Sequence, residues 1–239
     1  MSRSLPQPLD ASHALFLDFD GTLTPLQDDA DKVHLSEAKT HWLTELAAHL
    51  GGALAIISGR DVRDLSRRTP DTLLRIGNHG LYRLDPGQTA LPALAALPTS
   101  AQAVLQDIAA SHDKVFLEEK GPVGTLHFRA NPQAGPTIIG ALRKLADAVP
   151  DYGCKVGNHV AELIPDHANK GAALTRTMTA PPFIGRIPVM IGDDTTDEDG
   201  FIAAKALGGF GIKVGPGDTA ATARLASVDA VWAWLKGTK

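Results

Sequence analysis

The chain has 239 residues, 44% of them hydrophobic, with a single cysteine and a formal net charge of −4. That length supplies a core for one large domain or two modest ones. The acidic balance excludes attraction to nucleic acid or to an anionic membrane surface as the main interaction. The lone Cys154 excludes an internal disulfide, which suits a reducing compartment. The first ten residues, MSRSLPQPLD, carry no apolar leader core, and no apolar run is long enough to span a bilayer. A cytoplasmic protein is expected.

The first apolar run, Ala14-Leu15-Phe16-Leu17, stops abruptly at Asp18. Residues 36–50 then place Leu43, Leu46, Ala47 and Leu50 at helical spacing. A second apolar run, Ala53-Leu54-Ala55-Ile56-Ile57, ends at Ser58, ahead of a short helix over 61–68. The stretch 82–168 reads differently. After a Pro- and Ala-rich segment it predicts a helix over 101–110, strands over 115–118 and 124–128, a helix over 136–149 and a strand over 155–164. The third run, Pro188-Val189-Met190-Ile191, ends at Gly192-Asp193.

Near-continuous apolar strands suit a parallel sheet buried on both faces, and their alternation with helices implies an α/β core. Ligands of such sheets bind beyond the carboxyl ends of the strands. All three polar clusters fall at that edge. The expected organisation is a catalytic core formed by 1–81 and 169–239, with 82–168 inserted as a smaller α/β cap.

The segment Leu17-Asp18-Phe19-Asp20-Gly21-Thr22 carries most of the chemistry. Two residues apart on an extended chain, Asp18 and Asp20 point to the same side. Such a pair offers hard oxygen ligands for Mg²⁺ together with nucleophile and acid/base functions. Gly21 permits a tight turn and close approach of backbone to a ligand. Ser58 either hydrogen-bonds a phosphoryl oxygen or caps the helix over 61–68. Lys170, ahead of Gly171-Ala172-Ala173-Leu174, is placed to bring positive charge to a dianionic phosphate.

The loop Gly192-Asp193-Asp194-Thr195-Thr196-Asp197-Glu198-Asp199-Gly200-Phe201 has five carboxylates in seven positions. They repel one another unless a cation or donors are present. An EF-hand register centred on Gly200 lacks both key acids, which excludes calcium binding of that type. Asp193 is the expected metal ligand, with Asp194 or Asp197 supporting it or holding Lys170. No G-x-x-x-x-G-K-[ST] loop is present, and Gly208-Gly209-Phe210-Gly211 precedes a strand rather than opening a helix.

Asp18-Phe19-Asp20-Gly21-Thr22-Leu23, Ser58, Lys170 and Gly192-Asp193-Asp194, in that order, resemble the four motifs of haloacid dehalogenase-like phosphatases. The resemblance implies a Rossmann-like core in which Asp18 is the nucleophile and Asp20 the general acid/base. It implies Mg²⁺ held by Asp18, the backbone carbonyl of Asp20 and Asp193, with Asp194 beside them, and a phosphoryl group held by Ser58 and Lys170. Within that superfamily the chain resembles trehalose-6-phosphate phosphatases. The resemblance is carried by DFDGTLTPL from Asp18, SGR from Ser58, GNHG from Gly77, EEKG from Glu118, HFR from His127, Glu162, NKG from Asn169, GDDTTDEDGF from Gly192 and KVG from Lys213. It implies a sugar phosphate as substrate, with Arg60, Asn78, His79, Lys120, His127, Arg129 and Glu162 as candidate contacts. A monomer is expected. The competing readings are a phosphatase of sucrose phosphate or mannosyl-3-phosphoglycerate, a non-catalytic phosphosugar sensor, and a phospho-acceptor of receiver type.

Overall fold

A computed structural model describes residues 8–27, 29–157 and 159–238. The absence of a leader expected from the first residues falls largely outside that range. The chain divides into two compact units, one running to Leu91 and resuming at Asn169, the other Pro92–Ala168.

In the first unit, β1 (His13–Leu17) runs into the turn carrying Asp18 and Asp20, followed by α1 (Glu37–His49), β2 (Leu54–Ile57) and α2 (Val62–Arg68). Next come β3 (Leu74–Gly77) and β4 (Tyr82–Leu84). In the second unit, α3 (Thr99–Ala110), β5 (Phe116–Lys120) and β6 (Val123–His127) precede α4 (Gly135–Ala148), β7 (Tyr152–Gly157) and β8 (Val160–Pro165). The first unit resumes with α5 (Lys170–Thr177), β9 (Ile187–Gly192), α6 (Glu198–Ala206), β10 (Phe210–Val214), β11 (Ala223–Leu225) and α7 (Val228–Lys236).

The first unit is built on one sheet in the order β11-β10-β9-β1-β2-β3-β4. All its pairings are parallel except that of β4 with β3. Strand alternation splits the core into two layers. Leu15, Leu17, Leu54 and Ile56 meet Leu43 and Leu46 of α1 and Val231 and Leu235 of α7 on one face. Ala14, Phe16, Ala55 and Ile57 meet Leu174 of α5 and Phe201 and Ala204 of α6 on the other. Both faces are covered, which is why these strands read as unbroken apolar runs. The sheet order also makes β9, β1 and β2 neighbours, so the three polar clusters follow adjacent parallel strands.

The second unit is an antiparallel sheet, order β5-β6-β8-β7. One face packs on α3 and α4, through Leu126, Ala161 and Leu163 against Leu105, Ile138 and Leu142. Two expectations change. Residues 82–84 belong to the first unit's sheet, because Tyr82–Leu84 pair antiparallel with Arg75–Gly77. The single strand expected over 155–164 is instead two strands, β7 and β8, whose connection includes His159 at φ 60°.

Leu142 is fully buried in the second unit's core. Leu142→Ala is expected to destabilise that unit by about 2–5 kcal/mol, because the lost contacts leave a cavity that the helix-on-sheet packing fills only partly. Denaturant unfolding followed by circular dichroism measures it.

Candidate active site

Asp18 is the first residue beyond β1, and its backbone N–H donates to the carbonyl of Ile191 on β9 (2.9 Å). This ties the start of the turn to the neighbouring strand. Gly21 sits at φ 78°, in the left-handed region, and a Cβ there would run into the Asp193 carboxylate. The turn can therefore close over Asp193 only with glycine at this position.

Lys170 opens α5, whose first turn is capped by Asn169 accepting from the N–H of Ala172 (2.9 Å). Its ammonium donates to Asp18 Oδ1 (2.8 Å) and to Asp197 Oδ1 (2.6 Å). Lys170 and Asp18 are 2% and 4% exposed and Asp197 fully buried, so this is an ion cluster withdrawn from water. The second Asp197 oxygen accepts from the N–H of Asp194 (3.0 Å). Asp197 thus spends both oxygens orienting the lysine and fixing its own loop.

The electrostatics of the cluster are dominated by burial. Desolvation, followed by repulsion from Asp197 and Asp193, pushes the Asp18 carboxyl well above the usual range, against the attraction of Lys170. Burial and Asp197 likewise push Asp193 up to about 7. Burial opposes charge on Lys170, but Asp18 and Asp197 outweigh it and raise its pKa.

Oxygens of Asp18, Asp193 and Asp197 all lie within 4.8 Å of one another. Three buried or half-buried carboxylates against one ammonium leave negative charge in excess, and every donor is a hard oxygen. That set fits a divalent cation of the Mg²⁺ type. With Asp197 already committed to Lys170 and Asp194 N–H, Asp18 and Asp193 are the side chains placed to hold it. Asp194 departs from expectation. Its Oδ1 accepts from the N–H of Thr195 (2.7 Å) and caps the short helical turn 195–197, outside that cluster.

Ser58 is buried beyond β2, and its Oγ accepts from the N–H of Arg60 (3.1 Å). The cap of α2 is Asp61, which accepts from Arg63 N–H (2.8 Å), rather than Ser58. Arg60 grips Asp20 with two parallel hydrogen bonds, Nε to Oδ2 at 2.7 Å and Nη2 to Oδ1 at 2.8 Å. Burial works against its charge, yet Asp20 and Asp64 outweigh that and raise its pKa. Arg60, expected on the substrate, is here a partner of Asp20. Asn78 also departs from expectation: it is fully buried, and its Oδ1 accepts from Val62 N–H (2.9 Å), so it supports the first turn of α2. His79 is buried against Gly59, where an added Cβ would come within 2.5 Å of the ring.

A model of the family described as trehalose-phosphatase matches residues 16–229. The chain belongs to the trehalose-phosphatase family. It is 37% identical over 233 residues to the trehalose-6-phosphate phosphatase of Escherichia coli, covering 95% of this chain and 87% of that one. Among solved structures, the C-terminal domain of trehalose-6-phosphate phosphatase from C. albicans superposes with a TM-score of 0.83 at 23% identity, over 95% of this chain and 91% of that one. A haloacid dehalogenase-like hydrolase from Bacteroides thetaiotaomicron superposes at 0.65 and 16% identity, over 93% and 98%. This member of the trehalose-phosphatase family is accordingly a phosphoric monoester hydrolase with a Rossmann-like core and an additional α/β unit.

In the second unit of this trehalose-phosphatase relative, strand register sets Glu118, Thr125, Glu162 and Lys155 in a row across the sheet, on the face opposite α3 and α4. Lys120 Nζ and Thr125 Oγ1 both donate to Glu162 Oε1, at 2.9 and 2.8 Å. His127 Nε2 meets Glu118 Oε2 at 2.8 Å and stacks on Phe116 at 4.5 Å between ring centres. Burial alone would raise the Glu118 carboxyl, but the His127 hydrogen bond takes it below the usual range. Arg129 lies exposed just beyond β6.

Sequence reasoning quoted Lys213 for the resemblance without giving it a role; it is buried near the end of β10, and its ammonium donates to the carbonyl of Asp193. Sequence reasoning also passed over Asp64, whose carboxylate joins Arg60 to Arg68; the only signal was the spacing 60, 64, 68, with Arg60 just ahead of α2.

Replacing Gly21 by alanine is expected to cost roughly 1–2 kcal/mol in backbone strain and to displace Asp193. Phosphatase activity should fall at least about tenfold with unchanged far-ultraviolet circular dichroism, which steady-state assays alongside spectra will check.

Proposed function

We propose that this chain hydrolyses trehalose 6-phosphate to trehalose and inorganic phosphate through a phosphorylated Asp18, with Mg²⁺ as cofactor. The observation that carries the reading is the buried Asp18 held by Lys170 beside Asp193, at the end of the central strand of a trehalose-phosphatase family core. Asp18 and Asp193 would hold the ion, with the Asp20 backbone carbonyl added by the family resemblance. When bound, Mg²⁺ offsets the repulsion between the carboxylate and the phosphate dianion.

Asp18 supplies the attacking oxygen; Lys170 orients that carboxylate and favours its charged form against burial, and offers positive charge to the phosphoryl oxygens. As the bond from phosphorus to the sugar oxygen breaks, Asp20 gives its proton to that oxygen. It then takes a proton from the water that attacks phosphorus and releases Asp18. Ser58, at the end of the adjacent strand, is the neutral donor for the phosphoryl group. Asp20, with hydrolysis as its task, separates this reading from a receiver-type acceptor, which needs a long-lived aspartyl-phosphate.

Trehalose is a neutral polyol and calls for donors and acceptors rather than an apolar pocket. The polar face bearing Lys120, Thr125, Glu162, Glu118 and His127 supplies both, and we assign sugar selection to it. A cytoplasmic location suits the proposed substrate, a charged sugar phosphate that does not cross a membrane unaided.

Asp18→Asn is expected to lower turnover more than about 10³-fold and to abolish the phosphoenzyme seen by acid quench and intact-mass spectrometry; a phosphoenzyme surviving in that variant moves the nucleophile elsewhere. Lys120→Met and Glu162→Gln should each lower kcat/KM for trehalose 6-phosphate more than for p-nitrophenyl phosphate, and equal losses on the two esters would give those residues a structural role. A panel of sugar phosphates turned over at comparable rates would remove the specificity for trehalose 6-phosphate.

Metal removal gives a further check. Because Asp193 is pushed up to about 7 in the metal-free protein, the cation must displace a proton from the cluster. Chelation should abolish turnover and added Mg²⁺ restore it. Calorimetric titration in buffers of different ionisation enthalpy should show proton release, with affinity falling as pH drops through about 7. Metal binding independent of pH between 6 and 8 would show that the cluster, Asp193 included, holds no proton to release there.

A further inference from the structure

The turn after β1 is braced from the side by a chain of charges that runs away from the reacting centre. Arg60 meets Asp20 with its Nε and Nη2, and its remaining nitrogen, Nη1, donates to Asp64 Oδ2 (2.8 Å). Asp64 is gripped from its other side by Arg68, Nε to Oδ2 at 2.8 Å and Nη2 to Oδ1 at 2.7 Å. Arg68 Nη1 in turn donates to the main-chain carbonyls of Val33 (2.5 Å) and Asp31 (3.2 Å). The two arginine side chains are only 12% and 11% exposed.

We propose that Asp64 is a positioning residue for the acid/base step, fixing Asp20 through the guanidinium of Arg60. This rests on the reading of Asp20 as the proton donor and acceptor.

A planar guanidinium can present more than one edge to a carboxylate. With Nη1 committed to Asp64, the edge formed by Nε and Nη2 is the one that faces Asp20, and both Asp20 oxygens are located by it. Each oxygen keeps a second lone pair, so the carboxylate can still face a substrate oxygen or a water while held. Asp64 is not needed to start α2, since Asp61 caps that helix. An ordinary exposed pair at this helical spacing contributes little to stability. Here, however, both partners of Asp64 are largely withdrawn from solvent, and one of them touches Asp20. Arg68 ties the far end to the main chain before α1, so the chain ends on fixed atoms rather than in water. Geometry that places a proton-transfer group within a few tenths of an ångström is worth far more to the rate than to stability.

The test exploits the leaving group. An alkoxide such as the sugar oxygen needs a proton as it departs, whereas p-nitrophenolate does not. The kcat/KM values of the Mg²⁺-loaded enzyme are compared for trehalose 6-phosphate, an alkyl phosphate and p-nitrophenyl phosphate. Asp64→Asn is expected to lose about tenfold or more on the two alkoxide esters and less than about threefold on the aryl ester. Asp64→Glu should recover part of the loss. Asp61→Ala, which weakens the same helix at its cap, should not change the ratio between ester classes; if it does so as strongly as Asp64→Asn, the effect is structural and the proposal fails. Equal losses on all three esters, or no loss on any, in Asp64→Asn also overturn it. Asp20→Asn serves as the reference: if it loses equally on both ester classes, Asp20 is not the acid and the functional reading itself falls. If Asp20→Asn discriminates between the classes and Asp64→Asn does not, only the positioning role of Asp64 falls.

Discussion

The organisation of the first unit depends on one buried interaction, the ammonium of Lys170 set between Asp18 and Asp197. A carboxylate taken out of water loses several kcal/mol of hydration unless a partner and further hydrogen bonds compensate it. Asp18 has to be buried because it ends the central strand of a sheet covered on both faces. On the proposed function it also has to be usable as an anion. The lysine at the start of α5 reconciles those requirements, and the position of α5 follows from them. Gly171 illustrates the consequence: a Cβ there would collide with the backbone of Asp199, so α5 and α6 approach as closely as their main chains allow, holding Lys170 over the strand ends.

The same cluster explains why a cation suits this site. Lys170, bonded to two of the three carboxylates, and Lys213, on the Asp193 main chain, do not offset burial and mutual repulsion, which displace Asp18 and Asp193 upward. Replacing Asp193 with a neutral residue would relieve part of that repulsion and, on the proposed function, remove a metal ligand. The fold tolerates the repulsion because Asp197 is satisfied on both oxygens, Lys213 supports the Asp193 main chain, and Gly21 lets the turn close without steric conflict.

The two units differ in surface chemistry. The first contributes fixed charges at the ends of parallel strands, where adjacent backbones set their spacing. The second presents one apolar sheet face to its helices and leaves the other rich in donors and acceptors. Alternation along β5, β6 and β8 produces that division directly: Leu117, Leu126 and Ala161 pair on one side, and Glu118, Thr125 and Glu162 on the other. The Lys120–Glu162 pair is largely buried within that polar face, and Thr125 supplies a further donor to the Glu162 oxygen that Lys120 contacts, as buried charge requires.

Much of this was legible in the sequence because it is encoded locally. Three apolar runs stopping at Asp18, Ser58 and Gly192-Asp193 specify parallel strands whose polar ends share an edge, since strands of one buried sheet must align. The helical spacing over 36–50 is met by α1, Glu37–His49, which Ser36 caps. Other features were not legible, because each depends on which atom reaches a partner far away in the chain. The placement of β4 in the first unit's sheet depends on an antiparallel pairing with β3. The division of the 155–164 segment depends on a left-handed residue, His159. Asp194 and Asp197 are near neighbours of the same type, and only the closing of the loop against Lys170 distinguishes a cap from a buried counter-ion. Arg60 could have faced a phosphate or a carboxylate, and Asn78 a sugar or a helix end; tertiary structure selected Asp20 and the Val62 N–H. The sequence by itself determined the chemical inventory and the strands that carry it, because residue type and periodicity are local properties. Tertiary structure decided the pairing of charges, because in a desolvated site each ion takes the counter-ion that the packing brings within hydrogen-bond distance.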